Sequence, residues 1–309
     1  MPAGQSERVD FLRARIAALE ASEGPRGAVR IGATPWGGDG VQDPSQGLSI
    51  TFGEHPDPCS LDQALRAGLP RGALHEVVAA RPHDRAAATG FALTLAARFA
   101  QMKAKGKAQA QVHSKIIWII ETKARRETGG LYGSALRFYG FDPGDLILVE
   151  TRDAQESLWA MEEALKCSAP AAVIGEIWGL AKIYDLAASR RLVLAARKGM
   201  TPGLLVAAGL AGAADHLSSG AGTRFEVAAK ASLRLPSAAS RLPLPGKTVW
   251  AVRLVKARAG PLGFGFDRDK LHRLFWDPEK ACFRDALPLG FFALSGDRQA
   301  RPAQCFQRA

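Results

Sequence analysis

Between Gly72 and about Pro236 the chain switches repeatedly between short apolar runs and longer amphipathic stretches. "ALHEVVA" (73–79), "KIIWIIE" (115–121), "DLILVE" (145–150), "AAVIGEI" (171–177) and "GLLVAAG" (203–209) are nearly continuous in apolar residues, the mark of strands covered on both faces. Helical spacing separates them. Residues 86–105 align Phe91, Leu95 and Phe99, residues 154–167 align Leu158, Met161 and Leu165, and residues 133–139 and 182–198 read as two further helices. Strands joined through helices imply a parallel sheet with right-handed crossovers. "FEVAAKASLRL" (225–235) and "TVWAVRLVKAR" (248–258) read instead as a hairpin around a Pro-rich turn. The expected fold class is therefore α/β, a mostly parallel central sheet with antiparallel edge strands.

The flanks differ from this core. Val9, Leu12, Ile16 and Leu19 recur at helical spacing and predict an amphipathic N-terminal helix within residues 1–22. Its apolar face can pack on the chain's own core or on another subunit. Residues 23–46 are rich in Gly and Pro without a period and read as a linker, so the core is expected to span 47–266. The small C-terminal extension, 267–309, sets Phe275, Trp276, Phe283, Phe291 and Phe292 among charges with no sustained period. It is either a small cap or a segment that orders on a partner.

Charge adds one feature. The formal net charge is +11, and residues 101–137 hold eight Lys/Arg against Glu121 and Glu127, so more than half of the excess sits in one short stretch. Clustered cations attract polyanions, which makes Lys103, Lys105, Lys107, Lys123, Arg125 and Arg126 candidate contacts to DNA phosphates without sequence preference. The same cluster also fits an ordinary solvated face. Four scattered cysteines with no CxxC pair, and histidines with no HExxH pattern, point to free thiols and no metal site. No apolar run reaches the roughly 18–20 residues that span a bilayer, and the N-terminus lacks a signal-peptide core. The expectation is a cytoplasmic chain with no membrane partner.

Several stretches carry a resemblance. "SLDQALRAGLPRGALHEVV" (60–78) resembles the lead-in to the phosphate loop of RecA-type recombinases. "DAQESLWAMEEALKCSAPAAVIGEI" (153–177) is similar to their Glu-rich helix and Walker B strand. "TRFEVAAKASLRL" and "GKTVWAVRLVKARAGP" are similar to their last core strands. These pieces cover roughly 47–266 in the right order. Within that superfamily the chain most resembles the ImuA family, degenerate RecA-like proteins of bacterial SOS mutagenesis cassettes.

Alignment on Leu74–Val78 places the phosphate loop at residues 79–86. A working loop, GxxxxGK[ST], needs glycines that let N–H groups wrap phosphate, a Lys, and a hydroxyl for Mg²⁺. Here the glycine positions hold Ala79 and Asp84, the Lys position Arg85 and the hydroxyl position Ala86. Pro82 removes a further donor, Asp84 facing a triphosphate would repel it, and Thr89 lies too far along to replace Ala86. "RLPLPGKT" (241–248) ends like a phosphate loop, but Arg241, Pro243 and Pro245 spoil it and a β-rich stretch follows. The Walker B-like acid is Glu176, and the position matching the family's catalytic Glu falls on Glu121 or Thr122. Of the two DNA loops that recombinases carry, the first is nearly absent at Trp178–Leu180 and the second offers Arg224 as its one firm cation.

On this resemblance the chain is expected to be a non-catalytic accessory of error-prone translesion synthesis, with no nucleotide or other cofactor. The implied partners are ImuB (a catalytically defective Y-family polymerase relative), an error-prone DnaE-type polymerase, and RecA or a second copy. Val9, Leu12, Ile16, Leu19, Phe283, Phe291 and Phe292 are the candidate partner contacts. The SulA division inhibitors, which would bind the tubulin-like protein FtsZ, also resemble degenerate RecA, but they lack flanks like 1–60 and 260–309. An active RecA-type ATPase is a third reading, against which the loop argues.

Overall fold

The computed structural model describes residues 49–54, 56–105, 115–140, 142–232, 246–258 and 266–286, together with Ala14. Val9, Leu12, Ile16, Leu19, Lys107, Phe291, Phe292, the linker and the side chain of Lys105 lie outside the described residues.

Strands β1 (Ser49–Ile50) and β2 (Leu69–Pro70) form a small antiparallel pair. The main sheet contains β3 (Leu74–Ala79), β4 (Ile116–Glu121), β5 (Leu146–Thr151), β6 (Ala172–Ile177), β7 (Gly203–Ala207), β8 (Thr223–Lys230), β9 (Val249–Ala257), β10 (Leu271–Asp277) and β11 (Cys282–Asp285). Their order is β11-β10-β9-β8-β3-β7-β6-β4-β5. From β8 through β5 every pairing is parallel, and β9, β10 and β11 add antiparallel strands at one edge. This is the expected fold class, and the doubly covered strands explain the apolar runs: every residue of β3, β4, β6 and β7 is buried.

The helices are α1 (Ser60–Ala64), α2 (Arg85–Lys105), α3 (Thr122–Thr128), α4 (Gly133–Leu136), α5 (Ala154–Leu165) and α6 (Leu186–Gly199). One face of the sheet packs on α2, with Phe91, Leu95 and Phe99 buried among Val77, Trp118, Ile174 and Phe225. The other packs on α5 and α6, around Met161, Leu165 and Leu192. Asp153 and Asp185 fix where those two helices begin by accepting from Glu156 N and Ala188 N. That cap moves the start of α6 from the expected residue 182 to Leu186, behind a 3₁₀ turn at Gly179–Lys182.

The boundary expected after residue 266 cuts through this sheet. β10 pairs with β9, β11 pairs with β10, and Phe283 is fully buried. Its ring lies 5.3 Å from Phe91, 6.2 Å from Trp250 and 5.2 Å from Trp276, ring centre to ring centre. Phe283 is therefore a core residue and not a partner contact. Arg98, buried within α2, clamps both flanks to the core by donating to Thr51 O (2.8 Å), Gly53 O (2.6 Å) and Ala281 O (3.2 Å). Cys59 and Cys282 are buried free thiols, and Cys167 is buried as well. No described helix is long and apolar enough to cross a membrane.

Candidate functional site

In open sheets of this kind ligands bind beyond the carboxyl ends of the parallel strands. At that end β3 passes through residues 80–81 into a 3₁₀ turn, Pro82–Asp84, and directly into α2. Ala80 N donates to Val227 O (2.8 Å) and Asp84 N to Arg81 O (2.9 Å), so two amides of the loop are already engaged within the protein. None of residues 79–86 takes the positive φ that a glycine-lined loop would use.

The side chains complete the closure. Asp84 is buried and does not face the crevice as its position in the loop suggested. Its Oδ1 accepts from Ala229 N (2.9 Å) on β8 and its Oδ2 from Arg81 Nε (3.1 Å). Arg85 Nε donates to Ala208 O (2.9 Å), and its guanidinium carbon lies 4.5 Å from the centre of the Trp178 ring. Lys123 Nζ is 5.7 Å from the same ring. Glycine is required at position 209 for this approach, because a Cβ there would sit 2.0 Å from Trp178 O. Ala86, at the hydroxyl position of a working loop, is exposed.

Two carboxylates end neighbouring strands beneath this lid. Glu176 on β6 is buried, and its Oε1 accepts from the hydroxyls of Thr89 and Thr128, each at 3.0 Å. Burial pushes its carboxyl above the ordinary range, and the two hydroxyls partly offset that. Thr89, too far along α2 to serve the loop, thus reaches the Walker B-like acid from one turn deeper. Glu121 Oε2 accepts from Trp178 N (2.7 Å) and Gly179 N (2.8 Å). Its neighbour Thr122 donates instead to Thr151 O (2.8 Å). Both acids face donors of the protein itself. Among the described residues no group of three or more His, Cys, Asp or Glu could hold a metal ion.

The candidate DNA contacts divide. Lys103 is buried, and its ammonium caps the carbonyls of Ser168 (2.9 Å), Ala169 and Pro170 (3.2 Å), so it faces no solvent-borne strand. Arg224 is likewise turned inward. It pairs with Glu76 at 2.7 Å and donates to Ala214 O and Ser219 Oγ, while Tyr184 donates to the same Glu76 at 2.6 Å. Lys123, Arg125 and Arg126 stand exposed on α3, Arg125 paired with Glu150. The decoy loop's Gly246–Lys247–Thr248 leads directly into β9, with Lys247 Nζ 5.2 Å from the Phe275 ring centre. Glu76 itself carried a signal in the sequence, since a lone carboxylate inside an apolar strand requires a buried cation.

No family model matches the chain. Two curated relatives, each described as Protein ImuA, come from Caulobacter vibrioides strains NA1000 / CB15N and ATCC 19089 / CIP 103742 / CB 15. Each is 31% identical to it over 231 residues, which is 72% of this chain and 84% of the relative. Among solved structures, the crystal structure of the RadB recombinase aligns with a TM-score of 0.41 at 15% identity, over 74% of this chain and 97% of that one.

Proposed function

The chain belongs to the ImuA family, the degenerate RecA-like proteins tied to SOS mutagenesis, and from that membership we propose that it is a non-catalytic body on which an error-prone translesion synthesis complex assembles. The observation that carries this reading is the occupation of the phosphate-loop position by the protein's own groups. For a triphosphate to enter, Arg85 must leave Ala208 O and Trp178, and Ala80 N must leave Val227 O on β8. No Lys or hydroxyl stands at the two positions that would hold the β/γ oxygens and Mg²⁺. The contribution of the chain is then its surface. The partners the family implies are ImuB and a DnaE-type polymerase, with RecA or a second copy met through residues 1–22.

Glu176→Gln tests the absence of hydrolysis in the cell. The amide keeps a carbonyl for Thr89 and Thr128 while removing the charge an ATPase would use to orient hydrated Mg²⁺. In a strain lacking the chromosomal copy, this variant should restore damage-induced mutagenesis to the wild-type level. A fall to the deletion level, with the protein still folded and present, would contradict the proposal. Filamentous growth on overproduction without raised mutation frequency would favour the FtsZ-directed reading instead.

A further inference from the structure

Two rings stand out from the surface beyond α3. Tyr132 is 73% exposed and Phe138 76%, the highest values among the large apolar side chains described. Their neighbours turn the other way: Leu136 is buried, and the Tyr139 hydroxyl packs tightly against Gly90 on α2. The segment is thus anchored to the core while presenting both rings outward. In the same segment Gly129 and Gly133 border open space, since a Cβ at either would meet nothing within 4 Å. Along this segment of the chain the charge is positive. Residues 122–140 hold Lys123, Arg125, Arg126 and Arg137 against the single carboxylate Glu127, and all four cations are exposed.

We propose that this surface binds single-stranded nucleic acid, with Tyr132 and Phe138 each stacking a base and Lys123, Arg126 and Arg137 taking phosphates. Unpaired bases offer flat π faces that any aromatic ring can stack on, and a basic track holds the backbone without reading sequence. A duplex hides those faces, so the rings contribute nothing to its binding. The segment's cations, on a chain of net charge +11, suit a polyanion as the occupant. The proposal requires neither ATP nor a polymerase partner, so it stands or falls on the purified chain, separately from the assembly role.

The test is fluorescence anisotropy of labelled oligothymidylate with the full chain over a range of salt. The wild type should bind it more tightly than a duplex. Phe138→Ala and Tyr132→Ala should each weaken binding about tenfold, while Phe138→Trp and Tyr132→Phe retain it. Arg126→Ala with Arg137→Ala should lower the salt slope by about 1–2. Because both rings are exposed, every variant should melt as the wild type does. Absence of wild-type binding, or binding indifferent to all ring variants, would overturn the proposal. So would ring variants that keep DNA binding and lose co-purification with an ImuB-type partner, which would make this a protein-docking surface.

Discussion

His75 shows how much single positions in this fold depend on polar matching inside the core. It is fully buried on β3, its Nε2 donating to Pro70 O (2.9 Å) and its Nδ1 therefore accepting from the Thr223 hydroxyl (2.8 Å). Burial pushes its pKa down from 6.5 to about 4. As pH falls through 6.5 the unfolded chain takes up the proton and the folded chain does not, until about pH 4. The stability present above pH 6.5 is therefore lost across that window, by roughly 3 kcal/mol from this residue. Urea unfolding at pH 7 and pH 4.5 should show a smaller loss for His75→Gln than for the wild type, and parallel losses would refute the assignment. The substitutions at 79, 84, 85 and 86 were legible as a broken motif from residue types alone. Where Asp84 and Arg85 would turn was not legible, because their partners, Ala229 and Ala208, lie more than a hundred residues away.

At the scale of elements, legibility followed burial. β3, β4, β6 and β7 could be read because both faces are covered and every position is apolar or paired. Helix α3, "TKARRET", was missed because Ala124 is its one buried residue, which leaves no period to detect. β10 was missed for a different reason. His272, Leu274 and Trp276 face inward at period 2, but the polar His272 stands inside, 2.9 Å from Ser60 Oγ, and Leu271 stands outside. The segment corresponding to the recombinases' second DNA loop is pinned by Arg224, its one firm cation, which joins residues 214 and 219 to Glu76. Removing one partner of such a buried pair leaves the other charge uncompensated. Arg224→Met should cost about 3–5 kcal/mol in denaturant unfolding and speed amide exchange across residues 211–222. A cost within experimental error would show that the pair is dispensable.

For the whole molecule, the core extends further along the chain than the aromatic tail suggested. The aromatics after residue 266 looked exposed because they sit among charges, yet Trp276 and Phe283 close the core over Phe52, Phe91 and Trp250. A chain ending after residue 266 should therefore lose the cooperative thermal transition of the full chain. A transition like that of the full chain would restore the earlier boundary. The central claim concerns the crevice at the strand ends, which Arg85 and the 3₁₀ turn fill from within. Isothermal titration of the purified chain with Mg²⁺ and ATP tests it most directly. No saturable heat up to millimolar nucleotide is the predicted result, and saturable binding that disappears in Arg85→Ala would contradict it.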